Sequence, residues 1–256
     1  MKIGNWYRRF AMTLIAGGML TPGLAHSANL GVNLVVNGDF ENVNLATTAA
    51  YNSPLVLDWT GPNLFAYSHD GSSSSTGVVP DYADGADPPG AGHWYFTSNH
   101  TGTAAFTSVF DPDVYYQDIN LSSGATATAI AAGLAQYDLS AYMSSYLNDT
   151  DYGNIRAEFR NAASAPVGSV TISDTADAGP NNVWSLVSAT GAMPVDAASV
   201  RISLWGTRTA GGAGADGYMD NIDFRIRAIP EPSTGALAAL GAFTFGWGTR
   251  RRRREP

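Results

Sequence analysis

The chain has 256 residues and no cysteine, which excludes disulfides, thiolate-zinc centres and cysteine nucleophiles and leaves stability to core packing or a bound metal. Of its 14 lysines and arginines, Lys2, Arg8 and Arg9 open the chain and Arg250 to Arg254 close it, so residues 29–228 hold six cations against 20 acids. A net charge of −14 there excludes nucleic acid as a partner, because phosphate binding needs a basic footprint.

Residues 1–28 read as a secretory signal peptide: cations at Lys2, Arg8 and Arg9, an apolar run from Phe10 to Leu20, and a small-residue cleavage site at Ala25-His26-Ser27. That run is too short to cross about 30 Å of hydrocarbon at about 1.5 Å per residue. Residues 29–228 follow as one domain. It begins with Asn33-Leu34-Val35-Val36-Asn37-Gly38-Asp39-Phe40-Glu41 and then Trp59.

Asp70 to Gly92, rich in Ser, Asp, Gly and Pro, reads as a long loop. Beyond it, short alternating segments predict strands at Val114–Leu121, Gln136–Leu147, Ile155–Arg160, Val167–Ile172, Val183–Val187, Val200–Trp205 and Tyr218–Ile226. No segment shows a helical period. The fold class is all-β, a single β-sandwich. Asp149-Thr150-Asp151-Tyr152-Gly153 reads as a solvated hairpin turn, since it lacks the ligand spacing of a calcium-binding hand.

The last segment contains Asp216-Gly217-Tyr218-Met219-Asp220-Asn221-Ile222-Asp223-Phe224. Strict alternation places Asp220 with Ile222, Phe224 and Ile226 on the core-facing side, where an unpaired carboxylate costs several kcal/mol. Together with the Asn33–Glu41 motif, this segment resembles the galactose-binding-like jelly roll of carbohydrate-binding modules. The resemblance implies a structural calcium held by Glu41, Asp220 and the Asn37 turn, and sugar binding on an aromatic platform. The other reading of Asp220 and Asp39 is that they only cap turns.

A sugar platform needs a flat apolar partner for the pyranose face and polar groups for its hydroxyls. The candidates are Trp59, Trp94, Tyr146 and Trp205, with Trp205 expected to point outward, opposite Ile202 and Leu204. Catalytic signatures are missing: there is neither a His-Glu-x-x-His helix nor a Gly-x-Ser-x-Gly elbow. His93 beside Trp94 reads as a surface histidine among core aromatics.

Residues 229–256 carry Pro230-Glu231-Pro232, an apolar stretch from Gly235 to Gly248 expected to be a short helix, and Arg250, Arg251, Arg252, Arg253 and Arg254. In order and spacing this tail resembles the PEP-CTERM sorting signal of Gram-negative bacteria. The resemblance implies an exosortase, the secretion machinery and a transient hold on the inner membrane as partners. The arginine cluster stays in the cytoplasm under the positive-inside rule, so it acts as a stop. Two functions remain open: a calcium-stabilised module that binds extracellular polysaccharide, or a matrix protein with no dedicated ligand.

Overall fold

The computed structural model describes residues 30–48, 50–61, 65–83, 85–97, 115–146, 150–174, 183–209 and 216–230. The signal segment lies outside them, as does the tail from Glu231 onward with Pro232 and Arg250–Arg254. No helix among the described residues is long and apolar enough to cross a membrane.

Alternating sequences form the strands because period-two side chains bury one face of each. In chain order they are β1 (Val43–Thr48), β2 (Pro54–Val56), β3 (Ala66–Ser68), β4 (Ser73–Ser74), β5 (Gly77–Val78), β6 (Trp94–Thr97) and β7 (Tyr115–Asn120). After helix α1 (Gly124–Ala131) come β8 (Ala135–Ser145), β9 (Tyr152–Arg160), β10 (Pro166–Ser173), β11 (Ser185–Ala192), β12 (Ser199–Thr207) and β13 (Gly217–Ala228).

Two antiparallel sheets make a sandwich of the jelly-roll class. One has the order β10-β9-β12-β7 and the other β11-β8-β13-β6-β3, with hairpins β1-β2 and β4-β5 beside them. The core lies between the sheets. Ile155, Ala157, Phe159, Val200, Ile202 and Leu204 face it from the first, and Leu139, Ala141, Met143, Phe96 and Phe224 from the second. A Cβ on Gly153 would stand 2.8 Å from Met219 Cε, so the glycine lets the sheets approach there.

Helix α1 corrects the expectation of no helix. Its sequence is Gly-Ala-Thr-Ala-Thr-Ala-Ile-Ala, and only Thr126 and Ile130, one turn apart, are buried. Small residues on every side left no apolar stripe to read.

The opening motif seals the sheet. Strand β6 pairs with β13 only at Tyr218 and Met219. Further along that edge the chain entry takes over: Gly31 N–H donates to Ile226 O (2.8 Å), Leu34 N–H to Phe224 O (2.9 Å) and Ile222 N–H to Gly38 O (2.8 Å). Asn33 stands in for a peptide unit, its Nδ2 donating to Ile222 O (2.9 Å) and its Oδ1 accepting from Phe224 N–H (3.0 Å). An added Cβ at Gly38 would sit 2.3 Å from Ile222 O, so the turn tolerates only glycine.

Candidate functional site

Opposed residues in an antiparallel pair share a face. Across β8, Met219 stands opposite Met143 and Asp220 opposite Tyr142, whereas Asp223 opposes Ser140 and Phe224 opposes Leu139. The register shifts between Asp220 and Asp223, at Asn221, whose φ is 52°. This bulge overturns the expected alternation: Met219 and Phe224 face the core, while Asp220 turns to the outer face with Tyr142. Asp220 is nevertheless fully buried. The later part of the Asp70–Gly92 segment reaches that half of the sheet, Asp87 at His69 and Pro89 at Asn221, and is stapled by the Tyr95 hydroxyl, which accepts from Tyr82 N–H (2.8 Å) and Ala83 N–H (3.2 Å) and donates to Asp81 (3.2 Å).

A histidine unremarked in the sequence meets Asp220 there. His69 Nε2 lies 3.1 Å from Asp220 Oδ2, and its Nδ1 lies 3.0 Å from Asp87 Oδ1. The imidazole is wedged between Tyr95 and Trp184, with ring centroids 4.7 and 5.2 Å away. Burial pushes the Asp220 carboxyl up to about 6, against the opposing pull of His69. For His69 burial works against the charge, yet its bonds and the fields of Asp220 and Asp87 leave its pKa raised. No local pattern pairs positions 69 and 220; only the fold does.

The expected calcium ligands are otherwise engaged. Calcium takes about six to eight oxygens at roughly 2.3–2.6 Å. Asp220 gives Oδ2 to His69 and Oδ1 to Asn221 N–H (2.7 Å). Glu41 Oε1 accepts from His93 N–H (2.7 Å) and Trp94 N–H (2.8 Å), and Gly92 is a glycine because a Cβ would strike that carboxylate. The Asn37 carbonyl accepts from Trp59 Nε1–H (3.1 Å), and its side chain bonds Asn42 and Leu57. Among the described residues no three His, Asp or Glu side chains converge on a metal position. The donor set fits turn and loop anchorage, not a calcium cage.

Of the four expected aromatics, Trp59, Trp94 and Trp205 are buried. Trp59 stacks on Phe40, which stacks on Phe96, so it is core. Trp205 keeps the orientation that alternation implies but is covered to 7 % exposure, which corrects its expected exposure to solvent. Tyr146 is half-buried and packs edge-on against Tyr82 (5.5 Å). Asp151 also departs from expectation. It is buried, not solvated, and accepts from Thr209 N–H (2.7 Å) and Asp216 N–H (3.3 Å). His93 is exposed and paired with Asp70 at 2.7 Å, as a surface histidine should be.

The uncovered half of the outer face holds a cleft of about 550 Å³. It is lined by Asp39, Ser140, Tyr142, Leu186, Asn221 and Asp223, among others. Strand β8 alternates Leu139, Ala141 and Met143 inward, so Ser140 and Tyr142 stand outward and half-exposed. Asp223 is held by Arg225 (2.7 Å), and Asn221 leans on Pro89 O (3.4 Å). The Tyr142 and Ser140 hydroxyls and the Asp39 carboxylate have no hydrogen-bond partner among the described residues. By contrast, the outer face of the other sheet spends its polar groups on itself: Arg156 and Arg160 grip Glu158 (2.8 Å each), and Arg201 grips Asp118 (2.7 Å) over the Tyr116 ring.

A family model described as the PEP-CTERM protein-sorting motif matches residues 228–253. The motif marks the chain as exported and processed at the membrane. No curated protein matches the sequence. Solved structures similar in fold include the CBM22-1 xylan-binding domain of Paenibacillus barcinonensis Xyn10C (10 % identity, TM-score 0.41, covering 80 % of this chain and all of that one). A CBM4 module is similar at 18 % identity and TM-score 0.36, over 75 % of this chain and 99 % of that one. The enzymatically active domain of the bacteriophage CBA120 tailspike protein 4 is similar at 13 % identity and TM-score 0.40, over 76 % of this chain. The present chain spans 21 % of that tailspike's length.

Proposed function

We propose that the chain enters the secretory route through its signal segment, is held at the inner membrane by its tail until an exosortase processes it, and is then displayed on a Gram-negative surface or its matrix. There the sandwich binds a polysaccharide without cleaving it. One observation carries this reading: the outer-face cleft sets a half-exposed Tyr142 ring in one lining with the Ser140 hydroxyl and the Asp39 carboxylate, which no other described residue engages. A tyrosine ring offers the flat apolar partner of a sugar face, and uncommitted polar groups at its rim take the hydroxyls.

Affinity electrophoresis of the secreted protein in gels cast with neutral and acidic polysaccharides tests it. The expected result is retardation in at least one glycan, lost in Tyr142→Ala while the melting temperature holds. Equal mobility in every glycan sinks the binding role and leaves the matrix role.

A further inference from the structure

We propose that the His69 imidazole occupies the place that a metal ion would take beside Asp220, so that this sandwich anchors the Asp70–Gly92 segment without calcium. The geometry carries it. Both ring nitrogens face carboxylate oxygens from opposite sides, Asp220 at 3.1 Å and Asp87 at 3.0 Å. Each of those two contacts needs a proton, so near neutral pH the three groups share two protons and one net negative charge. That holds whether the ring carries both protons or Asp220 carries one of them.

Asp220 and the His69 side chain are withdrawn from water, at 0 % and 1 % exposure, while the Asp87 side chain is 49 % exposed and opens the cluster to solvent. A cation between Asp220 and Glu41 would meet oxygens already bonded to N–H donors, two on Glu41 Oε1 and one on Asp220 Oδ1, while Asp220 Oδ2 faces the imidazole. The imidazole also reaches what a bare ion could not: it spans from sheet to loop and ties β13 to Asp87 in one contact chain.

Two measurements on the full-length chain test the assignment. Thermal melting with calcium in excess or with chelator should agree within about 1 °C. Mass action would otherwise raise the melting temperature of a calcium-binding fold by several degrees. His69→Gln should lower the melting temperature by about 10 °C, because it strands a buried carboxylate. The double variant His69→Gln with Asp220→Asn should recover at least half of that loss, because it removes the stranded charge. A calcium-dependent rise in the parent overturns the proposal. So does a single variant that melts like the parent, or a double variant no better than the single.

Discussion

Raising the pH from 5 to 8 should destabilise the domain, and the size of the effect follows from Asp220. Its carboxyl is pushed from an ordinary 3.8 up to about 6 by burial, so between those values the folded chain holds a proton that the unfolded chain has released. The penalty for burying the charge is therefore absent below pH 3.8 and complete above about 6, worth at most roughly 3 kcal/mol in all, of which about 1.4 kcal/mol falls above pH 5. His69 adds in the same direction: its pKa is raised, so its contribution is full below the free-histidine range and fades as pH rises through the folded value. Because Asp220 and His69 face one another across one hydrogen bond, with the Glu41 charge also acting on Asp220, the loss should come as one broad transition. Acid acts the other way through Asp70 and Asp118. Ser72 and Arg201 respectively hold their carboxyls low, so their contributions vanish only as pH falls below about 4. Urea unfolding followed by tryptophan fluorescence at pH 5, 6, 7 and 8 should show stability falling along the series, with the fall flattened in Asp220→Asn. Stability that is level or rising across that range, or an equal slope in the variant, refutes the reasoning.

Two further outcomes separate steric demands and trafficking. Gly38→Ala should cost more than about 2 kcal/mol in chemical denaturation, since its Cβ strikes main chain at 2.3 Å, whereas Gly31→Ala, with open space but a φ of +79°, should cost about 1 kcal/mol; equal costs would contradict the contact. Replacing Pro230, Glu231 and Pro232 by alanine should leave the chain at its unprocessed size on immunoblots of membrane fractions, and a shortened product from that variant would remove the tail's assigned role.

Where apolar and charged residues alternate cleanly, the sequence was readable. Ile155–Arg160 and Val200–Trp205 lie within β9 and β12, and the extent of β13 is close to the expected Tyr218–Ile226. The sense of alternation in β13 was not readable, because a one-residue bulge at Asn221 leaves no compositional trace. Burial of the aromatics was equally hidden: Trp59 and Trp94 differ from Tyr142 by what packs over them, not by their neighbours in sequence. Tyr142 did leave a signal, since the inward series Leu139, Ala141 and Met143 requires an outward position 142. The pairing of His69 with Asp220 left none, because it is made across 151 residues of chain.

That same bulge joins the two halves of the outer face. Asn221 gives its N–H to Asp220 Oδ1 on the covered side, while its side chain lines the cleft and reaches Pro89 O. Pro89 belongs to the segment that His69 holds down through Asp87, and it is also a wall of the cleft. The buried cluster therefore does more than satisfy a stranded carboxylate: it fixes the position of one wall against Tyr142 on the opposite side. A cleft assembled from a strand and a loop keeps its shape only while the loop is anchored, and the sugar recognition proposed for it would depend on that shape, because each hydroxyl contact is weak alone and directional. The residue that breaks the sheet's alternation is thus also the one through which loop anchorage reaches the cleft.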